Sequence, residues 1–484
     1  MKLPDQLHCP HCKGRLAAIA TDLLRCTGCE RNVPIIDGIA DFVGSIPPEG
    51  TDRYRGDPRR HDAGAADLFA RIQQSAGPRW PVALGDTIEF GCGRGETTHS
   101  IIAAQRFRSL LLIDTEIAML QACQARIAAP GPGSDRPIAC ATLSLSHDAI
   151  RDAVADTVLG TGLLSGIGDV RAFLAMVHRV LRPNGRAAFV VPNRRYYEAM
   201  CLAMAEALVQ RRARDGAWPE GQHVALELLA HTRRLLVHRG DRAFLADLDV
   251  KHLFDREDLE ELAAEAGFTT AEMIPLDPDP VGAETTRGIC HGAGAPESFT
   301  ETFGGLAAAV GQRFFNLLAR QDQSASMLLW LTKGPGPGVR IFNHRPPPAP
   351  NPVVADAAVG GAAPRWSVEL LASDRPDGIV VSLGGWCLCN TDVRWVRLTM
   401  GDVVRTAPVW RPRPDVHDVL NRSGVYHPLN TLCSGMASEL VFEGVHAMGN
   451  MRPFRLDFVL TNGLIVSGPA PEALVMEEPT VIAH

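Results

Sequence analysis

Between about residues 80 and 335, short apolar runs alternate with stretches of helical periodicity. Asp86–Phe90, Ser109–Asp114, Asp156–Gly160 and Met327–Lys333 have strand length and are dense in β-branched or leucine positions. Glu96–Gln105, Tyr196–Arg214 and Val224–Arg239 read as helices, and so does Phe254–Phe268, with Asp255 placed as its N-cap and Gly267 just past its end. Strand–helix alternation of this kind predicts an α/β sheet with crossover helices. The texture then changes. Residues 336–364 are a Pro/Ala/Gly linker, part polyproline and part flexible. Over residues 365–476, runs such as Gly378–Leu383, Val393–Leu398 and Phe454–Leu460 alternate polar with β-branched or aromatic side chains, which predicts a small all-β sandwich.

The first 46 residues carry a different signal. Cys9-Pro-His-Cys12 and Cys26-Thr-Gly-Cys29 are two C-x-x-C knuckles with 13 residues between them. A knuckle turns two sulfurs toward one point, and two knuckles complete a tetrahedral thiolate cage for structural zinc. His8 and His11 flank the first knuckle and are read as surface residues, since four cysteines already complete a ligand set. Cys387 and Cys389 are too isolated for a metal site. The segment from Leu7 to Asp41, including the Val33-Pro-Ile-Ile-Asp-Gly-Ile-Ala-Asp41 tail, resembles the zinc-ribbon activator subunit of tRNA and release-factor methyltransferases. The resemblance implies a methyltransferase domain or partner.

In Asp86-Thr-Ile-Glu-Phe-Gly-Cys-Gly-Arg-Gly95, a strand runs into a Gly-x-Gly-x-Gly turn that opens a helix. Glycines let the backbone approach a ligand closely, and the helix start offers free N–H groups. The next strand ends in Asp114, where a carboxylate can accept both hydroxyls of a ribose. Evenly spaced Gly91, Gly93 and Gly95 preceded by Glu89 resemble the first motif of class I S-adenosylmethionine-dependent methyltransferases. Val180–Asn193 resembles the "Arg-Val-Leu-Lys-Pro-Gly-Gly" turn of the same family and the strand after it. The resemblance implies a Rossmann-like, seven-stranded sheet over 60–335. It also implies S-adenosylmethionine held by Glu89, Gly91, Gly93, Gly95 and Asp114, with Glu89 near the methionine amine.

Two departures from that family matter. Ser165 and Gly166 stand where many relatives carry Glu and a basic His, and no clear acid follows the third strand in Ala139–Asp148; Thr142, Ser144 and Asp148 stay open as substitutes. The helical insertion 194–250 is read as a substrate lid. Beside it, His252 is the candidate general base, with a structural histidine as the alternative reading.

Composition narrows the function. With 48 basic and 55 acidic residues the net charge is −7, and no basic stripe marks a nucleic-acid surface. No apolar run is long enough to span a membrane, and the N-terminus lacks a signal-peptide core, so the expected location is the cytoplasm. The expected activity is methylation, at oxygen, of a small molecule or a glycan or nucleotide-sugar precursor. The alternatives are an RNA methyltransferase that uses the ribbon to grip RNA, and a catalytically inactive S-adenosylmethionine-binding scaffold. In the C-terminal β domain Trp386 and Trp395 are read as core residues, with protein or carbohydrate contact through this domain as the alternative.

Overall fold

A computed structural model of the chain describes residues 6–44, 65–104, 106–127, 137–144, 148–218, 221–237, 252–276, 305, 309, 324–334, 365–376, 378–389, 391, 393–420, 426–445, 451, 452, 454–461, 463–468, 474, 475 and 480–483. The expected linker 336–364 lies outside the described residues. By contacts the chain divides into two compact units. One gathers Met1–Tyr196, Arg242–Asp279 and Ala319–Asn343; the other gathers Tyr197–Asp241, Pro280–Leu318 and His344–His484.

In the first unit, β1 (Leu16–Ala20), β2 (Leu23–Cys26), β3 (Asn32–Ile36) and β4 (Ile39–Asp41) form the ribbon. Then follow α1 (Ala65–Ala76), β5 (Ala83–Phe90), α2 (Glu96–Ala104), β6 (Arg106–Asp114), α3 (Ile117–Ile127), β7 (Ile138–Thr142), β8 (Ala155–Thr161), α4 (Val170–Val180) and β9 (Leu181–Pro192). After α5 (Arg194–Asp215) and α6 (Gln222–Val237) come α7 (Arg256–Ala266), β10 (Thr270–Pro275) and β11 (Ser326–Thr332). The strands make one eleven-stranded sheet, ordered β1-β2-β3-β4-β7-β6-β5-β8-β9-β11-β10. Its last seven strands are the expected methyltransferase-like sheet, with β11 antiparallel to β9 and β10.

Burial on both faces explains the unbroken apolar run of β6. Leu111 and Ile113 enter the core shared with α4 and α7, while Leu110 and Leu112 enter the core shared with α1 and α2. Phe173 of α4 sits edge-on between Phe90 and Phe189, with centroids at 5.3 and 5.5 Å. The α7 caps are as expected: Asp255 and Asp258 form a capping box, and Gly267 ends the helix at φ 96°.

The ribbon joins the sheet covalently and by pairing. Asp37 (φ 50°) and Gly38 (φ 78°) make the two-residue turn between β3 and β4, a Asp-Gly pair suited to positive φ at both positions. That hairpin lays β4 parallel against β7, pairing Ile39 with Cys140 and Asp41 with Thr142. His8 differs from its expected surface position. It is buried, with its ring donating to the Asp148 carbonyl at 2.8 Å, because the ribbon packs this side of the knuckle against the sheet.

In the second unit two antiparallel sheets face each other across an apolar core. The strands are β12 (Arg365–Arg375), β13 (Gly378–Leu388), β14 (Val393–Met400), β15 (Val403–Pro408), β16 (Gly435–Glu443), β17 (Met451–Arg452), β18 (Arg455–Leu460), β19 (Ile465–Ser467), β20 (Leu474–Val475) and β21 (Thr480–Ala483). The facing sheets run β16-β13-β12-β21 and β15-β14-β18-β19, and Trp366 meets Phe458 across them at 4.8 Å. Most of α5 and all of α6 belong to this unit. Arg233 donates to the Leu429 carbonyl at 3.1 Å, and the Trp218 indole N–H donates to Asp418 at 3.0 Å. Trp386 and Trp395 are half-buried.

Candidate functional site

Strand β5 delivers Glu89 to the start of the glycine turn, where Gly91, Gly93 and Gly95 all adopt positive φ (63°, 54° and 82°). Two of them are enforced by crowding. A Cβ on Gly95 would come within 2.6 Å of the Cys123 sulfur, and one on Gly91 within 3.0 Å of Leu163. Gly93 meets nothing within 4 Å and so borders open space. Immediately after the turn, α2 begins at Glu96 and presents its N-terminal N–H groups there.

Asp114 ends β6 beside the turn. Its Oδ2 accepts the Gly93 N–H at 3.0 Å and its Oδ1 the Glu116 N–H at 3.1 Å. Burial raises its pKa above the ordinary carboxylate value, against the pull of the N–H groups of Glu116, Gly93 and Thr115. Each carboxylate oxygen keeps a further lone pair for a ligand hydroxyl. Glu89 is fully enclosed. Burial pushes its pKa up to about 7, although the Thr98 hydroxyl donates to its Oε2 at 2.7 Å and favours the charged form. Glu96 and Asp114 add to the rise by repulsion. An open glycine cradle, a helix start and two strand-end carboxylates suit a cationic, ribose-bearing cofactor.

His252 meets the segment between β8 and α4. Its backbone N–H donates to Ser165 O at 3.0 Å, and its ring Nε2 lies 2.8 Å from Ile167 O. A carbonyl only accepts, so the neutral ring carries its proton on Nε2 and its lone pair on Nδ1. Phe254 stacks on the ring at 5.7 Å. The stretch in which Ser165 and Gly166 replace a Glu-His pair is therefore the stretch that His252 touches. Tyr196 is buried.

At the ribbon, the ligand atoms of Cys9, Cys12, Cys26 and Cys29 lie within 4.8 Å of one another, with Cys9–Cys29 at 3.6 Å and Cys12–Cys26 at 3.3 Å. A zinc–sulfur bond of about 2.3 Å requires tetrahedral edges of about 3.8 Å, so the cage fits the ion. Burial pushes the Cys26 thiol up, but the N–H groups of Cys29 and Gly28 and the adjacent thiols outweigh it and bring it to about 6. Gly14 and Gly28 keep the cage compact: a Cβ on Gly14 would reach 2.8 Å from the Cys26 sulfur.

Thr98 escaped the sequence reading. Its signal is a hydroxyl in the first turns of the helix that follows the glycine loop, facing back to the strand. Asp148, one of three candidates for the acid after the third strand, is held between the ribbon and α4, at 2.8 Å from Lys13 of the ribbon and 2.6 Å from Arg179 of α4.

Residues 88–187, from β5 to β9, match the family described as "Methyltransferase domain". No curated protein matches the chain. Solved structures similar to it include Haemonchus contortus phosphoethanolamine N-methyltransferase 2 (14% identity, 55% of this chain, 52% of that one, TM-score 0.33). They also include a chain from the complex of the Haloferax volcanii Trm112 methyltransferase activator with a methyltransferase (16%, 58%, 97%, 0.35). An S-adenosylmethionine-dependent methyltransferase from Mesorhizobium loti is a third (17%, 56%, 99%, 0.32). The family match falls on the strands that carry Glu89, the glycine turn and Asp114, so residues 88–187 of this chain carry a methyltransferase domain.

Proposed function

We propose that the enzyme methylates an oxygen of a small molecule or of a glycan or nucleotide-sugar precursor, with His252 as general base. The observation that carries this reading is the anchoring of the His252 ring on Ile167 O, in the segment after β8. A hydroxyl acceptor must lose a proton as it is methylated, and a neutral imidazole is a suitable base. When bound, S-adenosylmethionine supplies an electrophilic methyl group on a sulfonium. Gly91, Gly93 and Gly95 give the backbone room beside it, Asp114 accepts the ribose hydroxyls, and Glu89 balances the methionine amine. Holding donor and acceptor in line supplies much of the rate. Cys9, Cys12, Cys26 and Cys29 hold a structural zinc. The division into ribbon (1–46), catalytic region (60–335, with the insertion 194–250), linker (336–364) and β accessory domain (365–476) belongs to the same reading. So does contact of the accessory domain with protein or carbohydrate. The net charge of −7 supports a substrate other than RNA.

The test is a tritium-transfer screen against nucleotide sugars, small phenols and RNA. Label on a hydroxyl of a nucleotide sugar or phenol is the expected result. Label on RNA would overturn the substrate class, and S-adenosylhomocysteine binding without transfer to any acceptor would point to a scaffold. With the true substrate, His252→Ala should lower kcat by about 10²-fold, and wild-type turnover should rise with pH as imidazole loses its proton. Wild-type turnover in that variant would make His252 structural.

A further inference from the structure

Three residues stand side by side at the carboxyl ends of neighbouring parallel strands. Asp114 of β6 is in register with Thr142 of β7, and Thr142 is in register with Asp41 of β4. The first two belong to the methyltransferase sheet; the third is the last strand residue of the ribbon. The Thr142 hydroxyl donates to Asp41 Oδ1 at 2.5 Å, and the same oxygen accepts the N–H groups of Val43 (3.2 Å) and Gly44 (3.0 Å). In return, the N–H groups of Phe42 and Val43 donate to Thr142 Oγ1 at 3.1 and 3.3 Å. Asp41, Phe42 and Thr142 are all buried. On the other side the Leu143 N–H donates to the Asp114 carbonyl at 3.0 Å, and Asp114 holds the Gly93 N–H. Hydrogen bonds and one peptide link thus run unbroken from Asp41 to the glycine turn.

Thr142, Leu143 and Ser144 bring no carboxylate to the end of β7, and Asp148 is committed to Lys13 and Arg179. We infer that Asp41 is a positioning residue of the cofactor site, delivered by the ribbon: it fixes Thr142 and the start of the following loop beside Asp114, and so couples the metal-loaded ribbon to cofactor affinity. The inference rests on the cofactor and zinc assignments proposed above. Opening the latch lowers the binding-competent fraction of the site, and the apparent Kd rises in proportion. Linkage is reciprocal, so cofactor product should also tighten the hold on zinc.

Titration of the zinc-loaded full chain with S-adenosylhomocysteine tests this. Thr142→Val and Asp41→Ala should each weaken binding by about tenfold, as for loss of a hydrogen bond to a charged group. Thr142→Ser, which keeps the hydroxyl, should restore it. Asp114→Ala is the reference for direct contact, with a loss of about tenfold or more. Unchanged affinity in folded, zinc-loaded Thr142→Val and Asp41→Ala overturns this inference alone. A wild-type chain that holds zinc but does not bind S-adenosylhomocysteine overturns the cofactor reading, and this inference with it. A second readout needs no variant: S-adenosylhomocysteine should slow zinc extraction from the wild type by a chelator severalfold, and an unchanged rate overturns the coupling.

Discussion

Glu89 is a carboxylate in an enclosed place, held by one hydroxyl and repelled by two acids. Its folded pKa, about 7, lies above the ordinary value of 4.5, so between those limits the folded chain keeps a proton that the unfolded chain releases. Ionising Glu89 therefore costs stability, and the cost accumulates as pH rises through that window and is complete above it. The uncharged Glu89→Gln should then melt higher than wild type near pH 8, with the difference shrinking toward about pH 5. Scanning calorimetry of the ligand-free proteins checks this; a difference independent of pH would show that ionisation is not what burial penalises here. The same substitution should weaken S-adenosylhomocysteine binding if the carboxylate faces the ligand's ammonium. Glu89 and Asp114 were legible in sequence because a glycine turn and a strand end mark them locally. Thr98 was not legible as a partner, since its role comes from α2 folding back over β5.

At the scale of elements, α7 shows how far local chemistry reaches. Its N-cap, capping box and terminal glycine all follow from residues close in sequence. Asp255 also receives Arg194 at 2.8 Å, a contact with a residue 61 positions earlier that no local pattern could announce. Asp255→Ala should remove both, lowering stability by about 1–2 kcal/mol, read as a lower urea midpoint with unchanged slope. An unaltered midpoint would mean that neither the cap nor the ion pair contributes. Strand β14 was visible as polar–apolar alternation, because a sandwich buries one face of a strand; β13 and β18 depart from it, with Ile379, Val380 and Val381 all buried in the one and Leu456, Asp457 and Phe458 in the other. The insertion was visible as two helices. That they are grouped with the second unit, through Arg233–Leu429 and Trp218–Asp418, depends on residues about 200 positions apart.

For the molecule as a whole, the ribbon's β4 is part of the same sheet that carries the glycine turn and Asp114. No described helix is long and apolar enough to cross a membrane. Metal analysis should find one zinc per chain for the single four-cysteine cage found among the described residues. Chelation should lower the melting temperature of the methyltransferase unit as well, because the ribbon's strands pair directly with its sheet. A separate low-temperature ribbon transition, with the main transition unmoved, would show that the two fold independently. The sequence by itself determined the local matters: the thiolate knuckles, the glycine turn and its acids, the helix caps and the alternation of strands. Each is written in spacings of a few residues, where backbone geometry and burial period impose their own patterns. Only the tertiary structure decided that Asp41 sits beside Thr142, that His8 is buried on Asp148, and that His252 reaches Ile167. These depend on strand order and long-range register, and nothing in a chain's local periodicity encodes which distant strand becomes its neighbour.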